Sequence, residues 1–146
     1  MPVLWTVFHS TREVLISVDG VAFLKEMKEC VEGIMTPATL SYRKLVDLSK
    51  GGLALSREDI EALEAYVRKL GGSGPMGPLA IMVGSDESEQ QARHFESLSV
   101  ADRPLKIFRD HRSARTWLES QPSRALPLWL EEPLPTARPD ETPLDP

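Results

Sequence analysis

Residues 43–70, RKLVDLSKGGLALSREDIEALEAYVRKL, decide how this chain is read. Lys44 to Leu48 reads as a buried strand, because Leu45, Val46 and Leu48 crowd into five residues. Lys50-Gly51-Gly52 then reads as a turn, where glycine tolerates backbone angles that other residues resist. From Ser56 the period changes. Ile60, Leu63, Val67 and Leu70 recur at three- and four-residue steps, which lays one apolar stripe along a helix. Ser56 is placed to cap that helix, with Asp59 at capping-box spacing and Leu55 and Ile60 at hydrophobic-staple spacing. The helix should stop at the run Gly71 to Gly77, which supplies positive φ and, at Pro75, removes a donor. Neither glycine run carries the Gly-Lys-Ser/Thr ending of a phosphate loop, so a nucleotide site is not expected.

The same two periods continue outward in both directions. Towards the N-terminus, Val3 to Phe8 and Glu13 to Asp19 are β-rich runs separated by His9-Ser10-Thr11-Arg12, the spacing of an antiparallel hairpin. From Val21 a helical stripe takes over at Leu24, Met27, Val31 and Ile34, and Pro37 closes it. Towards the C-terminus, Leu79 to Val83 is nearly all apolar, as suits a strand covered on both faces. Asp86 and Glu89 have capping-box spacing for a third helix with Ala92, Phe95 and Leu98 inward. Leu105 to Phe108 is a last strand. Asp110 caps a fourth helix that ends near Glu119 and turns Ala114, Trp117 and Leu118 inward. The order is ββαβαβαβα, an α/β fold with a mixed sheet of about five strands flanked by four helices.

Length and composition fit that reading. One domain over residues 1–120 with a tail over 121–146 suits 146 residues. The tail holds seven prolines, and with five acids against two arginines it carries −3 of the formal charge of −5. The folded part is then about −2, a poor match to a nucleic-acid partner. The single cysteine, Cys30, excludes an internal disulfide framework and fits a reducing compartment. Without a secretory leader or a long apolar run, the expected location is cytoplasmic, with no membrane span. Within the tail, Ala125-Leu126-Pro127-Leu128-Trp129-Leu130 is too apolar for a free linker. Trp129 and its neighbours are expected to dock on the domain or on a second copy.

Taken together, the layout resembles the STAS superfamily of anti-sigma-factor antagonists, in particular its SpoIIAA-like bacterial branch. Leu45-Val46-Asp47-Leu48-Ser49 at a strand end and Ser56 at the next helix start carry the resemblance. Ala92-Arg93-His94-Phe95-Glu96, Ile107-Phe108-Arg109-Asp110 and Ala114-Arg115-Thr116-Trp117-Leu118 extend it to about residues 4–119. The resemblance implies a small regulatory domain that binds a protein partner or ligand and does no chemistry of its own. In the antagonists, a serine at the corresponding helix start is phosphorylated by the partner kinase; counting from Asp47, that position is Ser56. Here Arg57-Glu58-Asp59 follows it, where antagonists usually carry small and apolar residues. The branch also resembles lipid-carrier folds, which implies an apolar or lipid-like ligand held between helices and sheet. A small hydrolase or transferase would instead need titratable groups converging on a concave site.

Other residues divide between site and scaffold. Arg93, Arg109, Arg112 and Arg115 make the last third of the domain basic, a possible anion or partner patch or a solvated face balanced by the acidic tail. Glu131-Glu132 could contact that face. His9, His94 and His111 lie on different elements without ligand spacing, so neither a metal nor a cofactor is expected. Cys30, mid-helix and without a CxxC partner, reads as a small core residue. No nucleophile elbow such as GxSxG marks a catalytic serine, and no residue is assigned to catalysis.

Overall fold

The computed structural model describes residues 2–72, 76–99 and 103–121. The chain begins with β1 (Val3–Phe8), β2 (Glu13–Ala22), α1 (Leu24–Ile34) and β3 (Arg43–Leu53). It continues through α2 (Arg57–Gly71), β4 (Leu79–Val83), α3 (Asp86–Ser99), β5 (Leu105–Phe108) and α4 (His111–Ser120). This is the order read from the sequence. The strands form one five-stranded sheet in the sequential order β1-β2-β3-β4-β5. Among the described residues only the initial hairpin is antiparallel; every later neighbour is parallel.

That topology settles where the helices lie. Successive crossovers that step in one direction across a sheet leave their helices on the same face. Helices α1, α2 and α3 therefore share one face, over the inward-pointing Val14, Ile16, Val18, Leu48 and Ile81. Helix α4 follows the last strand and packs on the opposite face, against β3, β4 and β5. There Ala114 and Leu118 meet Leu45 and Ala80 in a smaller core, with Phe108 and Trp117 at its margin. Strand β4 is buried along its whole length because α3 and α4 cover it from both sides.

Three boundaries differ from the sequence reading. Strand β3 does not end at Leu48, and Lys50-Gly51-Gly52 is strand rather than turn. The reason lies in β2, which also runs on, so that Asp19, Gly20, Val21 and Ala22 pair with Lys50, Gly51, Gly52 and Leu53. A Cβ on Gly51 would come within 2.6 Å of the carbonyl oxygens of Val18 and Gly20, so this crossing needs glycine. Helix α1 accordingly starts at Leu24, because Val21 and Ala22 are still held in the ladder. Asp86 is the first residue of α3 rather than its cap; the Ser85 hydroxyl accepts the Ser88 N–H at 3.1 Å. The turn at Ser73 to Pro75, the tail over 121–146 beyond Gln121 and the docking of Trp129 lie outside the described residues. No helix among the described residues is long and apolar enough to cross a membrane.

Candidate functional site: an apolar cavity under three helices

Between the sheet and helices α1 to α3 lies a cavity of about 90 Å³. Its walls follow from the amphipathic stripes. Met27 and Cys30 come from α1, Leu63 from α2, Ala92 from α3, and Ile16 and Ile81 from the sheet. Three polar side chains also line it: Lys44, Gln91 and Arg103. The remaining wall residues are apolar, so an apolar guest would meet dispersion contacts along the wall and few groups competing for water.

Lys44 is the most unusual wall residue. It is 1% exposed, yet it carries an amine. The strand alternation explains the placement: Lys44, Val46 and Leu48 point to the same side of β3. Its Nζ donates to the carbonyl oxygens of Thr39, Leu40 and Tyr42 at 2.9, 3.0 and 3.0 Å. All three ammonium protons are thereby used, and the loop after α1 is wound around one point. Burial first, and Arg103 second, push the amine down to about 7. On the opposite wall the Cys30 thiol is pushed up to about 12 by burial, which keeps it a neutral core group.

Gln91 closes another side. Its Nε2 donates to the backbone oxygens of Leu53 and Leu55 at 2.9 and 3.1 Å, tying α3 to the segment between β3 and α2. Its Oε1 is buried without a hydrogen-bond partner among the described residues. Lys44 and Gln91 were not singled out in the sequence. For Lys44 a signal existed, since period-two alternation aligns it with Val46 and Leu48.

Ser56 and Asp47 are each engaged locally. Ser56 Oγ accepts the Asp59 N–H at 3.0 Å, and the Ser56 N–H donates to Asp59 Oδ2 at 3.1 Å, completing the capping box. Leu55 and Ile60 are buried beneath it, as the staple requires. Asp47 lies where the β2–β3 register slips, between the pairs Ser17–Asp47 and Asp19–Lys50. Its Oδ1 accepts from Ser49 N and Ser49 Oγ at 2.8 and 2.6 Å. The carboxylate thus holds the bulge.

The four arginines do not form one patch. Arg93 and Arg109 both converge on Glu89, and Arg109 also reaches Asp86 at 2.7 Å. Hydrogen bonds from Arg109 and then Arg93 hold the Glu89 carboxyl below its ordinary range. Arg115 points the other way along α4, to Glu13 at 2.8 Å and Glu119 at 3.5 Å. Arg112 is exposed on α4. The histidines are equally dispersed: His9 Nδ1 is 2.8 Å from the Tyr42 hydroxyl, and His94 Nε2 is 3.2 Å from Glu61. Among the described residues, no three His, Cys, Asp or Glu side chains gather as a metal site.

No family model matches the chain, and no curated protein matches it either. Among solved structures, the chain is similar to an uncharacterised protein of the DUF3478 family from Shewanella loihica PV-4, described as having a SpoIIAA-like fold. The two share 18% identity with a TM-score of 0.47, over 80% of this chain and 91% of the other.

Proposed function

We propose that this chain is a non-enzymatic binding module whose ligand is a small apolar molecule or the end of a hydrocarbon chain. One observation carries the proposal: a cavity of about 90 Å³, apolar but for Lys44, Gln91 and Arg103, sits between three helices and the sheet. Ligand sites are concave and mostly apolar, with a few polar groups fixing orientation. The volume sets the size of the guest. An engineered cavity of about 150 Å³ takes benzene, so this one accepts a group somewhat smaller unless its walls move. A binding role also suits Lys44, whose amine is tied to three backbone carbonyls and so braces the wall.

The test is native mass spectrometry of protein purified from bacteria, joined to methyl NMR of Met27 and Met35 during titration with short-chain alkanes. A co-purifying apolar mass, or saturable shifts of those two methyls, is expected. Protein that carries no such mass and whose methyls stay fixed at saturating alkane would overturn the proposal.

A further inference from the structure

The cavity is lined by a residue with an unanswered acceptor. Gln91 stands on α3 beside Ala92, and both belong to the wall. The carbonyl oxygens of Leu53 at 2.9 Å and Leu55 at 3.1 Å take the two protons of its Nε2. Those contacts fix which end of the amide is which, since a flipped side chain would set oxygen against two oxygens. Oε1 is therefore the other end. It is buried and has no hydrogen-bond partner among the described residues. Buried polar atoms are nearly always paired, so an acceptor left over on a residue that lines an apolar cavity points to the guest.

An amide oxygen accepts and cannot donate, so whatever meets it brings a proton. The rest of the wall narrows the choice. Lys44 and Arg103 line the same cavity, and after burial the Arg103 charge is what lowers the Lys44 amine. A cationic donor would add a further positive charge to that pair, at high cost away from water. A carboxylate has no proton to give and would set a second acceptor against Oε1. A buried water needs several polar partners, and the Lys44 protons are already spent on Thr39, Leu40 and Tyr42. What remains is a neutral donor on a body small enough for about 90 Å³. A hydroxyl meets that description with the fewest atoms.

We infer that the guest is a neutral alcohol, with its apolar body in the cavity and its hydroxyl donating to Gln91 Oε1. The inference rests on the proposed function and adds the chemical class of the ligand. Gln91 then has two parts to play. Its Nε2 ties α3 to the segment between β3 and α2, and its Oε1 selects the guest.

Matched probes test this on the full chain, again through the methyls of Met27 and Met35, which both line the cavity. n-Butanol and methyl propyl ether are isomers of nearly equal size, but only the alcohol has a proton to donate. Transfer out of water favours the ether, which gives up fewer hydrogen bonds on leaving. A wall that offers the guest no acceptor therefore binds the ether more tightly. The inference expects the reverse, with the alcohol ahead by roughly tenfold. Pentane and the ether bound ahead of butanol would leave the apolar site standing and overturn the alcohol. Methyls unmoved by every probe would overturn both. Propanoate bound ahead of butanol would make the basic pair the recognising feature, and this also overturns the inference. n-Octanol tells a free short alcohol from the end of a longer chain: loss of binding fits the first and retention the second, each with the hydroxyl contact kept. Gln91→Met, which has no amide, should reverse the order of the two isomers. An unchanged order would place the hydroxyl away from Gln91 and overturn the assignment. Should that variant fail to fold, the probe series on the parent chain decides alone.

Discussion

Ser56 and Lys44 show how much a single polar group can organise. Ser56 caps α2 through a reciprocal pair of hydrogen bonds with Asp59. Ser56→Ala should therefore lower stability by about 1 kcal/mol, whereas Ser56→Asp should retain most of it, as urea unfolding would show. A phosphate at the same hydroxyl would face Glu58 and Asp59 in the first turn, so its charge would act against its neighbours as well as with the helix dipole. Lys44 has a sharper signature. Its amine titrates at about 7 in the folded chain against an ordinary value of 10.5. Between those values the unfolded state binds a proton that the folded state has released, so stability rises with pH. The cost of burying the charge is fully present below pH 7. Cys30 acts in the opposite sense, because its folded value of about 12 stands above an ordinary 9.0 and lowers stability as pH climbs past 9. The clean window is pH 7 to 9, where stability should increase by on the order of 2 kcal/mol. Lys44→Met should be less stable throughout, with three carbonyls left unanswered, and should flatten that slope.

At the scale of elements, the glycines of β3 separate what sequence can show from what it cannot. The order of strands and helices was legible because periods of two and of three-to-four persist in each segment. The Ser56 and Asp110 caps were legible for the same local reason. The continuation of β3 through Gly51 was not, since it depends on Gly20 and Val18 of a strand far away in sequence. Gly51→Ala would press a methyl against two carbonyl oxygens at 2.6 Å, while Gly52→Ala meets nothing within 4 Å. The first should cost about 1–3 kcal/mol, and the second should lie within about 1 kcal/mol of the parent. Equal effects in thermal unfolding would mean that the two strands do not cross closely there. The arginines make the complementary point. Their clustering along the sequence was plain, and Arg93 lies one helical turn from Glu89, but the pairing of Arg109 with Glu89 and of Arg115 with Glu13 joins residues 20 and 102 apart and comes only from the tertiary fold.

For the whole molecule, the cavity is a property of no single element. Each apolar stripe was visible, yet the void arises where three of them fail to fill the space above Ile16 and Ile81. Empty space is itself a cost: at roughly 24 cal/mol per Å³, a void of this size withholds on the order of 2 kcal/mol of packing. A folded chain that keeps such a void without a guest gives up stability that a larger side chain would restore. Ala92, on α3 and 5% exposed, is the place to restore it. Methionine there is unbranched and adapts to irregular gaps. Ala92→Met should therefore raise stability by about 1 kcal/mol in urea. The same variant should lose the alkane-induced shifts at Met27 and Met35. Raised stability with binding retained would place the guest elsewhere in the molecule. Lowered stability would mean that the walls already close on themselves, leaving no room for a ligand. Only gain and loss together fit a cavity held open for an apolar guest.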